Sequence, residues 1–168
     1  PTYDLCGTMW DFLEPTAREA FGDQVTFRYS KPAMMTLPWG TRVEFRSLDN
    51  ADSNVGAGVD MIVWDEAALT KNGGTIWKRQ LRATLAFKLG QCLCPTTPRG
   101  HNWFYDLVQT DEWWMKQFPS YCNPHLPALE LDSMKRELDE MSYRQEVLAE
   151  FVAFAGMVYN MFEMNVHV

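Results

Sequence analysis

The spacing of apolar residues changes period several times along the chain. Leu5, Met9, Phe12, Leu13, Ala17 and Ala20 recur at nearly helical intervals, which predicts a helix over 4–21 that Pro15 should break or kink. "VTFRYS" (25–30) and "TRVEFRS" (41–47) alternate and are β-prone, so each predicts a strand, with a Pro/Gly turn at "LPWG" (37–40) between them. The turn-rich "DNADSNVGAG" (49–58) then leads into an unbroken apolar run, Met61 to Trp64. A short run of that kind predicts a buried parallel strand over 59–64, with helices on both faces.

Beyond a loop at "TKNGG" (70–74), Thr75 is placed to cap a helix with Trp77, Leu81 and Leu85 on one face. "GQCLCPTTP" (90–98) predicts a second buried strand, ending in hydroxyls. A short helix over 99–109 and a strand over 112–122 follow. Leu131, Met134, Leu138 and Met141 line one face of a further helix, and Ser142 with Gln145 forms a capping box for a last helix through Phe151. Strands and helices alternate throughout, and no internal repeat interrupts them. The expected architecture is a three-layer α/β domain with a mainly parallel sheet.

Composition narrows the classes. A chain of 168 residues fits one domain, able to bury roughly 70% of its unfolded surface. Its net charge of -7 and pI near 4.9 exclude a global basic field, so any DNA contact needs a local patch or sequence outside this chain. No run of eighteen apolar residues marks a membrane span, and no secretory leader is expected. The start at Pro1 and the ending "MFEMNVHV" lead us to expect an internal fragment of a longer protein. Cys6, Cys92, Cys94 and Cys122 follow no disulfide-scaffold spacing. Cys122 and His125 make one C-x-x-H pair, with His101 nearby in sequence, which is short of a zinc set. Reduced, buried structural cysteines are expected instead.

The chemistry concentrates where the apolar run ends, in the adjacent carboxylates Asp65 and Glu66. Unpaired buried carboxylates are expensive, so something should compensate them. Ligands of open α/β sheets bind beyond the carboxyl ends of strands, where Thr96 and Thr97 also fall. A divalent cation would supply the compensation. Four apolar residues followed by Asp-Glu match the Walker B element of nucleotide hydrolases, in which the Asp organises the Mg²⁺ shell and the Glu activates water. Two acids capping the following helix are the competing explanation.

Longer stretches extend the match. "PTYDL" (1–5), "SNVGAGVDMIVWDEAAL" (53–69), "RQLRATL" (79–85), "CPTTPRGHNWFYDL" (94–107) and "RQEVLAEF" (144–151) together resemble the ATPase domain of the large terminase subunit, the genome-packaging motor of tailed double-stranded DNA bacteriophages. The likeness covers nearly the whole chain, and its most specific parts are the TTPRG element and the Glu-x-x-x-Glu-Phe ending. It implies a three-layer P-loop NTPase domain of the RecA-like (ASCE) kind. The ATPase domain would occupy 1–151, and a linker or the start of a nuclease domain 152–168, with "GMVYNMF" (156–162) leading toward it.

By this resemblance Asp65 holds Mg²⁺ and Glu66 is catalytic. Thr96, Thr97 and Pro98 resemble the coupling motif that senses the γ-phosphate and transmits hydrolysis to DNA movement. Arg82 matches a family position where a structural ion pair is as good an explanation as function. Two departures stand out. The phosphate-binding Gly-Lys-Thr/Ser loop is absent, so it is expected upstream, and this fragment alone should be inactive. Val55 also stands where many relatives carry an arginine finger, leaving Arg46 and Arg99 as candidate fingers or sensors.

The implied cofactors are ATP and Mg²⁺. The implied partners are double-stranded viral DNA, the portal protein, the small terminase subunit and further copies in a ring on the procapsid, in the host cytoplasm and without a membrane. Nuclease activity would belong to a C-terminal part, and no nuclease residue is assigned here. A helicase-like DNA translocase and a degenerate, non-catalytic prophage module are the alternatives. The Trp113–Trp114 pair could stack on DNA bases, although core or inter-domain packing is the more economical expectation.

Overall fold

The structure, a computed structural model, describes residues 3–48 and 58–153, with residues 3–6 entering only as helix backbone. The chain divides into two compact units, Pro1–Pro95 and Thr96–Val168. The Val55 position and the 156–162 segment lie outside the described residues, as does nearly all of the expected linker at 152–168.

In the first unit, helix α1 (Tyr3–Phe21) continues through Pro15. The expected break does not occur, because the helix has a buried stripe that extends on both sides of the proline. Trp10, Leu13, Ala17 and Phe21 pack on Val25, Phe27, Met35 and Val43, and this burial outweighs the lost backbone hydrogen bond. Trp10 fixes the register of the packing, its ring lying edge-on to Phe27 at 5.9 Å and to Phe45 at 5.0 Å.

The layer beneath α1 is an antiparallel sheet of β1 (Thr26–Arg28), β2 (Ala33–Thr36) and β3 (Arg42–Phe45), in that order. Phe27, Met35 and Val43 stand in register on its helix-facing side. The expected turn is present: Gly40 N–H donates to Leu37 O at 2.9 Å, and Gly40 adopts φ +87°. It joins β2 to β3, and β2 is an element the hydrophobic pattern did not predict.

The same unit holds the expected parallel pair, β4 (Met61–Val63) and β5 (Gln91–Leu93), with Ile62 opposite Cys92. Both are shorter than the predicted 59–64 and 90–98. Hydrogen bonds continue the pairing past the strands, from Trp64 N to Leu93 O at 2.8 Å and from Glu66 N to Pro95 O at 2.9 Å. The expectation of a strand buried on both faces is not met, since Met61, Val63 and Leu93 are 54%, 47% and 52% exposed. A crossover helix covers only one face of a two-stranded ladder, here the face of Ile62, Trp64, Cys92 and Cys94.

That crossover is one helical stretch in three parts. α2 (Gly73–Ile76) passes through a wide turn at Trp77–Leu81, where Arg82 N–H reaches back to Trp77 O, and continues as α3 (Arg82–Ala86). Trp77, Leu81 and Leu85 are buried as expected. Thr75 is not the cap. The helix begins at Gly73, and Asn72 O accepts from Thr75 N and Ile76 N, so Thr75 already lies inside the first turn.

The helix ends by Leu89 entering the left-handed region at φ +52° while Gly90 N–H returns to Leu85 O at 2.9 Å. Leucine is a poor occupant of that conformation, and at 90% exposed its side chain recovers nothing by burial. Leu89→Gly is therefore expected to stabilise the protein by about 1 kcal/mol, measured as a rise in the denaturant midpoint. An unchanged or lower midpoint would contradict this account of the helix end.

The second unit differs most from expectation. Residues 112–119 form no strand; Pro119 lacks a donor, and among the described residues no neighbouring segment offers a ladder. Isolated bonds hold the segment instead, from Gln117 Nε2 to Ala149 O and from Ser120 N to Val147 O. α4 (Trp103–Val108) is capped by Asn102, whose Oδ1 accepts from Phe104 N and Tyr105 N. The single predicted face from Leu131 to Met141 is split, because α5 (Ala128–Glu137) stops at Leu138 and α6 (Glu140–Glu146) starts afresh. Asp139, not Ser142, caps α6, its Oδ1 accepting from Met141 N and Ser142 N at 3.0 Å each. The Ser142 hydroxyl and these amides hold the Asp139 carboxyl below its ordinary range. α6 also ends at Glu146, short of the expected Phe151. Phe104, Val147 and Val152 are the buried centre of this unit.

Candidate functional site

Asp65 and Glu66 form the turn that leaves β4. Trp64, just before them, is buried, and its Nε1 donates to Thr70 Oγ1 at 3.1 Å, closing a loop around the pair. Ala67 and Ala68 behind them are buried, Ala67 completely. Leu69 N donates to Glu66 O at 3.0 Å, and Thr70 N to Ala67 O at 3.0 Å. Glu66 N–H is spent on Pro95 O. The turn is thus held at the indole, the small-residue floor and these three backbone bonds.

This clamping supports an unusual backbone. Glu66 lies at φ +49°, ψ +43°, in the left-handed region, where a non-glycine residue costs about 1–3 kcal/mol. Such conformations persist only where the surroundings over-determine them. The helix-capping explanation for the acids is not realised, since Glu66 makes no side-chain cap to the short turn Ala67–Leu69 and the helix proper starts at Gly73. Both acids are half-buried, and among the described residues no hydrogen bond or ion pair engages the Asp65 carboxylate.

The donor set can be tested against Mg²⁺. Among the described residues no three or more His, Cys, Asp or Glu side chains gather, so no all-protein cage exists. Mg²⁺ does not need one, because it keeps several waters and is commonly held by one or two carboxylates together with substrate phosphates. Half-buried Asp65, without a protein partner among the described residues, fits that mode.

In the second unit, Thr96 and Thr97 are half-buried and Pro98 is buried, with Thr96 Oγ1 donating to Thr97 O at 3.2 Å. The segment after them is anchored to α6 at two points. Arg99 Nη1 pairs with Glu146 Oε1 at 2.9 Å, and Gly100 N donates to Gln145 Oε1 at 2.9 Å. Gly100 sits at φ +59°, which favours glycine. Gln145 and Glu146 are site-supporting residues that sequence reasoning missed, although both fall within "RQEVLAEF". Arg46, the other candidate finger, stands on the first unit's outer sheet face, paired with Glu44 at 2.7 Å.

The cysteines depart from the buried expectation. Cys92 and Cys94 are half-buried on the same face, as pleating requires, with sulfurs 3.6 Å apart, whereas Cys122 is exposed. The contact with the Cys92 sulfur, together with burial, pushes the Cys94 thiol above its ordinary range. Trp114 is 82% exposed, so it is not a core residue.

Comparison with known proteins adds the following. A family model described as terminase large subunit, T4likevirus-type, N-terminal, matches residues 11–166. A terminase large subunit of Escherichia phage T5 is 30% identical over 174 residues, covering 100% of this chain and 40% of the relative. One from Thermus virus P23-45 is 27% identical over 162 residues, covering 81% of this chain and 32% of the relative. The chain thus spans less than half the length of these relatives. Among solved structures, a mutant of the large terminase ATPase domain of Thermus phage P74-26 superposes with a TM-score of 0.65 at 24% identity, covering 90% of this chain and 74% of that one. The same domain without the mutation gives a TM-score of 0.60 at 23% identity. The structural likenesses show the fold: a mixed α/β arrangement shared with that domain, in which β4 and β5 form the parallel pair.

Proposed function

From the chain's membership of the terminase large subunit family, as its T4likevirus-type N-terminal part, we propose that it belongs to an ATP-hydrolysing motor that drives double-stranded viral DNA into a procapsid. The observation that carries the reading is the strained, clamped Asp65–Glu66 turn at the end of a parallel strand. Strain of this kind at a strand end is a mark of a site shaped for chemistry. ATP, Mg²⁺, the portal protein, the small subunit, a ring of copies and the host cytoplasm are parts of this proposal. A nuclease activity would lie in the rest of the full-length protein. Among the described residues no helix is long and apolar enough to cross a membrane.

Asp65 would hold Mg²⁺ through its half-buried carboxylate, and the ion supplies neutralisation of phosphate charge when bound. Glu66 would orient the attacking water and accept its proton. The fixed backbone at Glu66 limits where that carboxylate can reach, which favours one water position over many. Thr96, Thr97 and Pro98 would report the state of the nucleotide. Their attachment to α6 through Arg99–Glu146 and Gly100–Gln145 gives a change there a mechanical route. The same ion pair favours a structural use of Arg99 over a finger.

The test is made on the full-length protein, with ATP affinity, ATP turnover and DNA translocation measured on one preparation. Thr97→Ala is expected to keep ATP affinity within a few fold while losing translocation. One hydroxyl contact is worth about 1 kcal/mol, too little to stop a motor through affinity alone. Parallel loss of binding and translocation, or no change in either, would remove the coupling role from Thr97.

A further inference from the structure

The side of the β1–β3 sheet turned away from α1 has a composition the core does not need. Register and alternation place Thr26, Arg28, Met34, Thr36, Arg42 and Glu44 on it, with Met34 between Arg28 and Glu44, and Arg46 continues the same side past β3. Arg28, Arg42 and Arg46 are exposed, within a chain whose net charge is -7. Among the described residues Glu44 is the one acid on this face, and Arg46 holds it at 2.7 Å. Arg28 donates only to a backbone oxygen, that of Pro32 at 3.2 Å, and Arg42 has no acidic partner among the described residues. Structural ion pairing therefore explains one of the three arginines and leaves two.

Their spacing bears on what they could meet. Strands lie about 4.8 Å apart and alternate residues along a strand about 7 Å apart, which puts the root of Arg28 about 12 Å from those of Arg42 and Arg46. That spacing is close to the width of the B-DNA major groove, about 12 Å, whose two walls are rows of phosphates. Thr36, opposite Arg42, and Thr26, opposite Thr36, add hydroxyl donors suited to phosphate oxygens.

We propose that this outer face of the β1–β3 sheet binds the phosphate backbone of duplex DNA, without regard to sequence. The inference rests on the packaging reading and deepens it, by naming where in this acidic chain the DNA would be held. Contacts to phosphates carry no sequence information, consistent with a motor that must pass any sequence.

The experiment is equilibrium binding of the full-length protein to a random-sequence duplex over a series of salt concentrations. It compares wild type, Arg28→Ala/Arg42→Ala and Arg28→Lys/Arg42→Lys, with DNA-free ATPase measured beside it. The alanine pair is expected to weaken binding at least tenfold at moderate salt. Its plot of log affinity against log salt should be shallower by about 1.8, two phosphates at about 0.9 each. The lysine pair should recover most of both, and DNA-free ATPase should be unchanged in both variants. Unaltered affinity and slope in the alanine pair would overturn the proposal, as would lysine variants as weak as the alanine ones. A fall in DNA-free ATPase would overturn it too, by assigning the face to hydrolysis. Absence of ATPase from the wild type would count against the motor reading alone, since the binding curves judge the face independently.

Discussion

In the full-length protein, Glu66→Gln is expected to lower ATP turnover by about 10²–10⁴-fold, the usual worth of a positioned general base, with nucleotide affinity held within a few fold. The amide keeps the size and most of the hydrogen bonding of the carboxylate but cannot take up a proton. Little structural disturbance should follow, because the turn is held by groups the substitution leaves alone: the Trp64 indole on Thr70, the Ala67–Ala68 floor and the bond from Glu66 N to Pro95 O. The measurement is steady-state hydrolysis beside equilibrium nucleotide binding. A turnover rate near that of wild type would move the base elsewhere.

A second large effect is expected far from any catalytic group. A Cβ at Gly90 would lie 2.5 Å from Val59 O and 2.8 Å from Asp60 O, both backbone atoms that cannot swing aside, and 2.8 Å from Leu85 Cδ2. The chain is this tight because Gly90 closes α3 and enters β5 within one residue, with Gln91 N already bonded to Asp60 O at 3.0 Å. Gly90→Ala must therefore push β4 and β5 apart or lose that bond. The expected destabilisation is about 3 kcal/mol or more, at the severe end for a single methyl group. Denaturant unfolding would measure it, with loss of amide protection at Trp64 and Gln91 as the local sign. The turn carrying Asp65 and Glu66 hangs on this pairing, so ATP turnover should fall with it. A midpoint within the experimental error of wild type would contradict the close approach.

These two residues mark how far the sequence could be read. The apolar run ending in Asp65–Glu66 announced a strand end with chemistry, and the parallel partner at 91–93 was legible from its own apolar residues. Trp77, Leu81 and Leu85 were legible because their spacing of four survives the wide turn in the crossover helix. β2 was not, since "AMMT" has one β-branched residue and lies between Pro32 and Pro38; its place comes from pairing with both neighbours. The 112–122 segment failed in the opposite sense, with aromatic residues that look β-prone but no ladder to join. Local signals cannot report the presence of a partner strand. The same limit hid the Trp64–Thr70 clamp and the Gln145 and Glu146 anchors, which depend on contacts across 6, 45 and 47 residues. The capping-box spacing of Ser142 and Gln145 points to Ser142 as the cap. Asp139 prevails because its carboxylate accepts two amides and the Ser142 hydroxyl together.

The central claim is that the Asp65–Glu66 turn is where ATP is hydrolysed, and the Mg²⁺ requirement of Asp65→Asn tests it most directly. ATP turnover by the full-length protein would be followed as Mg²⁺ is raised, for wild type and variant at the same ATP concentration. The account predicts magnesium-dependent turnover in wild type. In the variant it predicts turnover that is lost or recovered only in part at much higher Mg²⁺, since the amide removes the charge that would hold the ion. Identical magnesium curves for the two proteins would contradict it.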